Sequence, residues 1–153
     1  MEQINILPLK VKLGVNMAKN LFDFEAEFRL GIEAVDNEHA RLIDMLNAVH
    51  NLISIGEKEN ARYFFTETLS DYVDEHFANE EKFMESFEYP QIDDHKKIHE
   101  NFKKSYYELK PAIETFDETA FRRALTDVFT WILTHIGKTD RRYARYYFET
   151  QKE

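Results

Sequence analysis

Residues 76–99 read HFANEEKFMESFEYPQIDDHKKIH, and this stretch decides the fold. Its apolar residues recur every three or four positions, as in amphipathic helices, and a Tyr-Pro step divides the pattern into two segments. The first segment carries His76 and Glu80 four residues apart, and the second carries His95 and His99 at the same spacing. Side chains four residues apart on a helix project from one face. The stretch therefore predicts two helices, each presenting a pair of metal-binding side chains on one face.

The same apolar periodicity runs through most of the chain, which contains only four Gly and three Pro among 153 residues. We find no convincing pair of strands. Four long helices are predicted, at about residues 36–56, 60–87, 92–113 and 118–148. Long helices joined by short connections pack as antiparallel neighbours. The sequence therefore predicts an all-α, antiparallel up-down-up-down four-helix bundle at residues 29–153, after an N-terminal extension, or leader segment, at residues 1–28.

Local signals mark the ends of these helices. Asp36 is the predicted N-cap of the first helix. Gly56 is predicted to close the same helix, because glycine readily takes the left-handed conformation that is common just after helix ends. Pro111 is expected to end or kink the third helix in its last turn.

Composition restricts the metal sites and partners that the chain can offer. It contains no cysteine, which excludes disulfides and thiolate-bound metals and leaves imidazole and carboxylate as the strong ligands. The formal net charge of −9 would repel nucleic acid phosphates, so we expect no nucleic-acid partner. No apolar run approaches the roughly 20 residues needed to span a bilayer, and no signal-peptide cleavage site is evident. We expect a cytoplasmic protein that does not bind membranes.

The chain has six histidines, and each of the four predicted helices places at least one of them on an apolar face. His39 falls on this face of the first helix, and His135 on that of the fourth. Glu80 shares the apolar stripe of the second helix, where an unpaired carboxylate would cost several kcal/mol unless a cation relieved that cost. His50 lies roughly 16 Å along the helix from His39, too far to join the same centre. If the acidic residues simply formed solvated helix faces, their presence would be explained, but the positions of the histidines would not.

These motifs resemble the pattern of the hemerythrin family, specifically its bacterial single-domain branch, over about residues 22–148. The residues that carry the resemblance are Gly31-Ile32, Asp36-Asn37-Glu38-His39, His76-Phe77-Ala78-Asn79-Glu80-Glu81, His95-Lys96-Lys97-Ile98-His99, Trp131-Ile132-Leu133-Thr134-His135-Ile136 and Asp140. The resemblance implies two iron ions joined by an oxo or hydroxo bridge. It divides the ligands into His95, His99 and His135 on one iron, His39 and His76 on the other, and Glu80 and Asp140 as bridges. One position stays open on the iron with two histidines, and dioxygen binds there.

The donor set suits iron, because imidazole and carboxylate both bind it and two bridging carboxylates offset half of the +4 charge of a diferrous pair. The ligands alone do not exclude manganese or zinc. Many members of the family carry Trp near Phe24 and Gln at the position of Glu38, so this chain has an extra acid beside His39. Neither departure removes a ligand.

Asp140 is not selected by plain helical periodicity. It follows His135 by five residues, and an ideal α-helix would point it about 140° away. Gly137 lies between the two and could permit a local distortion of the kind found at functional sites. We therefore predict that the fourth helix departs from ideal α geometry between His135 and Asp140.

The resemblance implies reversible dioxygen binding, for carriage, storage or delivery, and no enzymatic activity. For such a carrier we expect a dry pocket lined by Leu42, Phe77, Trp131, Ile132 and Ile136. Two alternatives stay open: an oxygen or redox sensor, and a di-iron enzyme that acts on dioxygen, peroxide or nitric oxide. Sensors usually carry an attached output domain, for which we expect no room here. Ferritin-like oxidases use more carboxylates and fewer histidines.

Overall fold

The computed structural model describes residues 21–115 and 117–151, and helices make up most of these two ranges. The helices are α1 (Phe24–Glu27), α2 (Glu33–Ser54), α3 (Lys58–Ser86), α4 (Ile92–Glu114), α5 (Glu118–Thr134) and α6 (Asp140–Thr150). A π-helical turn, His135–Thr139, joins α5 to α6 without a break. Consecutive long helices pack against each other, with α5, the π turn and α6 together forming one member. The predicted all-α four-helix bundle is therefore confirmed. None of the helices in the described ranges is long and apolar enough to cross a membrane.

Two apolar clusters fill the bundle, and a layer of polar side chains separates them. Along α3, Val73 and Phe77 belong to the larger cluster and Met84 to the smaller one, while His76 and Glu80 lie buried between them. The same order recurs on α2 and on the fourth member of the bundle. Spacings of three and four residues produce this order, because they keep apolar and polar residues alike on the inward face. The fold therefore holds the polar layer away from water.

Helix α2 begins earlier than predicted, and the N-cap role predicted for Asp36 is wrong. The helix starts at Glu33, and Asp36, only 3% exposed, lies in its first turn. The Asp36 carboxylate accepts hydrogen bonds from the backbone N–H groups of Leu30 (2.8 Å) and Gly31 (2.9 Å), which precede the helix. Asp36 thus fixes the approach of the chain to α2. At the other end the prediction is confirmed, since Gly56 follows the helix with a φ of +83°.

Pro111 lies in the last turn of α4, as predicted, and the helix ends three residues later at Glu114, close to the predicted end near Ile113. A proline removes one backbone donor from the helix, but its carbonyl still accepts a hydrogen bond. The Pro111 carbonyl accepts from the Thr115 N–H at 3.1 Å, and the last turn is completed in this way.

The described end of the predicted N-terminal extension packs on the bundle. The Asn47 side chain of α2 accepts a hydrogen bond from the Phe22 N–H (2.9 Å) and donates one to the Phe22 carbonyl (3.0 Å). Phe28, 6% exposed, belongs to the larger apolar cluster. Residues 1–20 of the extension lie outside the described residues, and the boundary at residue 28 stays a prediction.

The fourth member of the bundle departs from α geometry between His135 and Asp140, as predicted. The Asp140 N–H donates to the His135 carbonyl, five residues earlier. A turn that closes after five residues instead of four turns Asp140 back towards the face that carries His135. The π turn is therefore the local feature that brings Asp140 into the polar layer.

The π turn does not require the glycine at its centre. Gly137 is not among the residues with left-handed backbone, and a Cβ there would meet only the Phe28 ring, at 3.9 Å. Arg141 holds the turn instead: its Nε donates to the Gly137 carbonyl (2.9 Å) and its Nη2 to the Glu27 carbonyl (2.9 Å). The turn is thereby tied to the end of α1.

We expect Gly137→Ala to raise the free energy of unfolding by roughly 0.5–1 kcal/mol, because alanine restricts the unfolded chain and its methyl group has space. Urea unfolding of the purified protein measures the change. Gly31→Ala is the matched comparison and should destabilise, because Gly31 has a φ of +90°, a backbone conformation that alanine adopts only with strain. A loss of stability in Gly137→Ala would show that the π turn needs glycine.

Candidate metal centre

Seven buried side chains meet in the polar layer, and every long member of the bundle supplies at least one. They are His39 from α2, His76 and Glu80 from α3, His95 and His99 from α4, His135 from the π turn and Asp140 from α6. Each is at most 3% exposed. These are the seven residues selected in the sequence, and they form two groups that could each hold a metal ion. His50 belongs to neither group.

Glu80 belongs to both groups, because its two oxygens face different histidines. Oε1 lies 2.9 Å from His95 Nε2 and 3.0 Å from His99 Nε2. Oε2 lies 3.3 Å from His39 Nε2 and 3.4 Å from His76 Nε2. One carboxylate thus separates the histidines of α4 from those of α2 and α3, as a carboxylate shared by two ions would.

Asp140 also reaches histidines of both groups. Oδ1 lies 2.9 Å from His135 Nε2 and 3.2 Å from His95 Nε2, and Oδ2 lies 3.0 Å from His39 Nε2. Neither oxygen has a partner with hydrogen-bond geometry among the described residues. A buried carboxylate without such a partner costs several kcal/mol. A cation between these oxygens and the ring nitrogens, or protons on those nitrogens, would compensate the charge of Asp140.

Two ring nitrogens face each other directly. His99 Nε2 and His135 Nε2 lie 3.0 Å apart, and Glu80 Oε1 is 3.0 Å from the first and 3.5 Å from the second. The potential ligand atoms of each group all lie within 4.8 Å of one another, so they surround a common point. Imidazole nitrogen and carboxylate oxygen are donors that suit transition metals, and the residues present therefore fit a metal site.

Two further acids contact Nδ1 atoms of these histidines, and neither was predicted as a site residue. Glu38 Oε2 lies 2.5 Å from His76 Nδ1, and Glu81 Oε1 lies 3.0 Å from His99 Nδ1. Glu38, predicted to lie beside His39, thus contacts a histidine of the neighbouring helix. Each acid is next in sequence to one of the seven residues, about 100° around its helix, which directs it to an adjacent helix. Periodicity within one helix cannot identify such a contact.

Tyr143 contacts the shared carboxylate from the side of the smaller apolar cluster. Its ring is fully buried, and its hydroxyl donates to Glu80 Oε2 at 3.1 Å. Burial raises the pKa of the Tyr143 phenol well above its ordinary value, so the residue stays a neutral donor. Tyr143 follows Asp140 by three residues on the same helical face, and this spacing was a signal that could have identified it.

Two aromatic rings stack on the imidazoles. Phe77 lies on His99 with ring centroids 3.9 Å apart and planes 3° apart, and Trp131 lies on His135 at 4.3 Å and 10°. Of the residues predicted to line an oxygen pocket, Leu42, Phe77, Ile132 and Ile136 are at most 4% exposed and Trp131 is half-buried. All five belong to, or pack against, the larger apolar cluster. The side of the centre that faces this cluster is therefore apolar.

Comparison with known proteins identifies the family. A sequence profile described as the Hemerythrin HHE cation binding domain matches residues 30–147, well over half of the chain. The chain belongs to the hemerythrin family. The family relationship inferred from the motifs is thus confirmed, and the matched range contains all seven residues of the two groups that could hold a metal ion.

Individual hemerythrin relatives match over most of their length. A bacteriohemerythrin of Clostridium acetobutylicum is 30% identical over 128 residues, which are 80% of this chain and 98% of that protein. A bacteriohemerythrin of Stenotrophomonas maltophilia is 30% identical over 127 residues, 81% of this chain and 80% of the relative. A myohemerythrin of Theromyzon tessulatum is 26% identical over 122 residues, 80% of this chain and 90% of the relative.

The carboxylates and imidazoles of this site stabilise one another as charged groups. Burial lowers the pKa of His39 and of His135, but the carboxylates of Asp140 and Glu80 outweigh burial and raise each pKa to about 9. Burial also disfavours the charged carboxylates, yet the surrounding histidines bring the pKa of Glu80 and of Asp140 below the ordinary range. Protons therefore compete with a metal ion for the histidines at neutral pH.

We expect the metal-free protein to lose stability as the pH rises from 6.5 to about 9, the ordinary and folded-state pKa values of His39 and His135. Below this window both histidines are protonated in the folded and unfolded chain, and their contribution is complete; it is lost as they deprotonate. The carboxylates have lowered pKa values, so they lose their contribution to stability only in acid, as the pH falls below their ordinary pKa.

Urea unfolding of chelator-treated protein between pH 6.5 and about 9 measures the effect of the histidines. His39→Asn should flatten the profile and His50→Asn should not; a flat wild-type profile would contradict the expectation.

Proposed function

We propose that this protein binds dioxygen reversibly at a non-heme di-iron centre and thereby carries, stores or delivers it. The observation that supports this most is the pair of buried ligand groups that share Glu80. Membership of the hemerythrin family supports it independently. The proposed role is binding and includes no catalytic residue. The cytoplasmic location expected from the sequence and the bundle domain at residues 29–153 belong to the same proposal.

In this proposal the seven side chains hold two iron ions. His95, His99 and His135 would hold one ion and His39 and His76 the other, and the Glu80 and Asp140 carboxylates would be shared between the two. Nitrogen and oxygen donors suit iron, and two shared carboxylates offset part of the charge of the ion pair. With both carboxylates shared, the ion held by two histidines would have fewer protein ligands than the other, which would leave room there for a small molecule, as in metal sites that bind substrate.

When bound, the iron pair supplies the redox chemistry through which dioxygen is held and released. The chain supplies the surroundings of that chemistry. Phe77 and Trp131 stack on two of the imidazoles and fix their planes, and Tyr143 donates a hydrogen bond that orients the Glu80 carboxylate. The buried apolar side chains on the side of the larger cluster exclude water from the centre, which opposes irreversible oxidation.

The iron-loaded protein is expected to contain close to two irons per chain and to change its absorption spectrum reversibly with dioxygen. Metal analysis gives the first quantity. The second requires spectra of the anaerobically reduced protein before oxygen exposure, after it, and after oxygen is removed. His50→Asn is the control that should retain both properties. One iron per chain, or preferential uptake of zinc when iron is abundant, would contradict the ligand assignment; one-way oxidation would favour a sensor or an enzyme.

We expect Leu42→Ala to accelerate autoxidation of the reduced, oxygenated protein, because a cavity beside the centre admits water. The matched variant is Leu52→Ala, which removes another buried leucine of α2 about 15 Å further along the helix. Both should lower the free energy of unfolding by roughly 2–5 kcal/mol. Only Leu42→Ala should oxidise faster in stopped-flow and autoxidation measurements. Equal oxidation rates in the two variants would place the oxygen pocket elsewhere.

A further inference from the structure

Glu38 of α2 is held against α3 by three contacts. Its Oε2 lies 2.5 Å from His76 Nδ1, and its Oε1 accepts a hydrogen bond from Asn79 Nδ2 at 2.8 Å. Its backbone carbonyl accepts a hydrogen bond from the Tyr72 hydroxyl at 2.5 Å. The Glu38 side chain is 22% exposed, whereas that of His76 is 2% exposed. The Glu38 carboxylate therefore covers the Nδ1 side of the buried His76 ring, and these contacts restrict its movement.

This contact determines which nitrogen of His76 carries the proton. A carboxylate accepts hydrogen bonds, so the Nδ1 that faces it is the protonated nitrogen, and Nε2 of the neutral ring carries the lone pair. Nε2 faces Glu80 Oε2 at 3.4 Å, and it has no hydrogen-bond partner among the described residues. Two acceptors that face each other in a buried site repel unless a proton or a metal ion lies between them. Glu38 thus presents His76 in the form that a metal ion requires.

We propose that Glu38 is a positioning residue that acts through His76 on the metal ion at the His39 and His76 group. It fixes the ring and its tautomer, and its negative charge makes the ring a stronger electron donor. Hydrogen-bonded carboxylates behind ligating histidines have these effects in metal sites generally. A stronger donor favours the more oxidised ion, so Glu38 lowers the reduction potential of the centre. This inference rests on the proposed function, because it assumes an iron ion at this group.

Among the residues that the structure describes, Glu38 has no substitute in its own group. His39 Nδ1 is buried and has no hydrogen-bond partner among the described residues. Glu81 contacts His99 of the other group instead, with Oε1 3.0 Å from Nδ1. The group with fewer histidines therefore depends on one outer carboxylate, and a change of Glu38 acts on the ion at which the proposed function places dioxygen.

Two substitutions separate the charge of Glu38 from its position. Glu38→Gln keeps the size and an oxygen acceptor for Nδ1 but removes the charge, so both irons should be retained and the reduction potential should rise. Glu38→Ala removes the acceptor as well, and iron loss to a chelator should be about 10–100-fold faster. Glu75→Gln is the control, because it makes the same charge change at an exposed residue of α3 next in sequence to His76. It should match the wild type in both measurements.

The experiment measures iron content, the rate of iron loss to a chelator and the reduction potential in the four proteins, with urea unfolding of the metal-free forms. Variants that match Glu75→Gln in potential and iron loss would overturn the proposal. A change in unfolding alone, without a change in potential, would overturn it too, because it would show a purely structural role. A wild-type protein that takes up no iron would refute the proposed function and this inference with it. Two irons in the wild type and no effect at Glu38 would refute only the inference.

Discussion

The buried charge of Glu80 is the constraint on which the rest of the structure depends. The residue is 2% exposed and lies between two apolar clusters, where an isolated carboxylate would be strongly destabilising. Every long member of the bundle places at least one imidazole beside this carboxylate, and the Tyr143 hydroxyl donates a hydrogen bond to it. Helix lengths, register and the order of polar and apolar residues all serve to bring these groups to one level of the bundle. Removing the charge would leave five buried imidazoles without their common partner.

Meeting that constraint requires one break in helical regularity. The π turn has less favourable hydrogen-bond geometry than an α-helix, but it brings Asp140 to the centre. Arg141 compensates by binding one carbonyl within the turn and another at the end of α1. Regular α-helical geometry is interrupted at the centre, and hydrogen bonds outside the centre compensate for the interruption, as is common at functional sites.

Much of the fold could be predicted from the sequence, because apolar spacing alone defines the inward face of each helix. The same reasoning placed His76 and Glu80 inside, since they share that face with apolar residues. Asp140 was different: periodicity pointed it away from the centre, and only the family resemblance selected it. Glu38 could not be found this way, because its partner lies on another helix and no pattern within α2 specifies what faces it. Asp36 was misread, because the residue that caps a helix and one that anchors the preceding loop have the same chemistry.

His39 and Asp140 are 3.0 Å apart in space but 101 residues apart in the chain (140 − 39). An unfolded chain cannot keep such distant ligands together. An ion held by both residues would therefore bind the folded protein far more tightly than the unfolded chain. Mass action then turns metal supply into folding free energy: a free ion concentration 100 times the dissociation constant adds about 2.7 kcal/mol. If the site holds such an ion, a cell short of that metal would lose this contribution, and more of the chain would be exposed to proteases. The abundance of this protein would then follow the availability of its metal without a dedicated regulator.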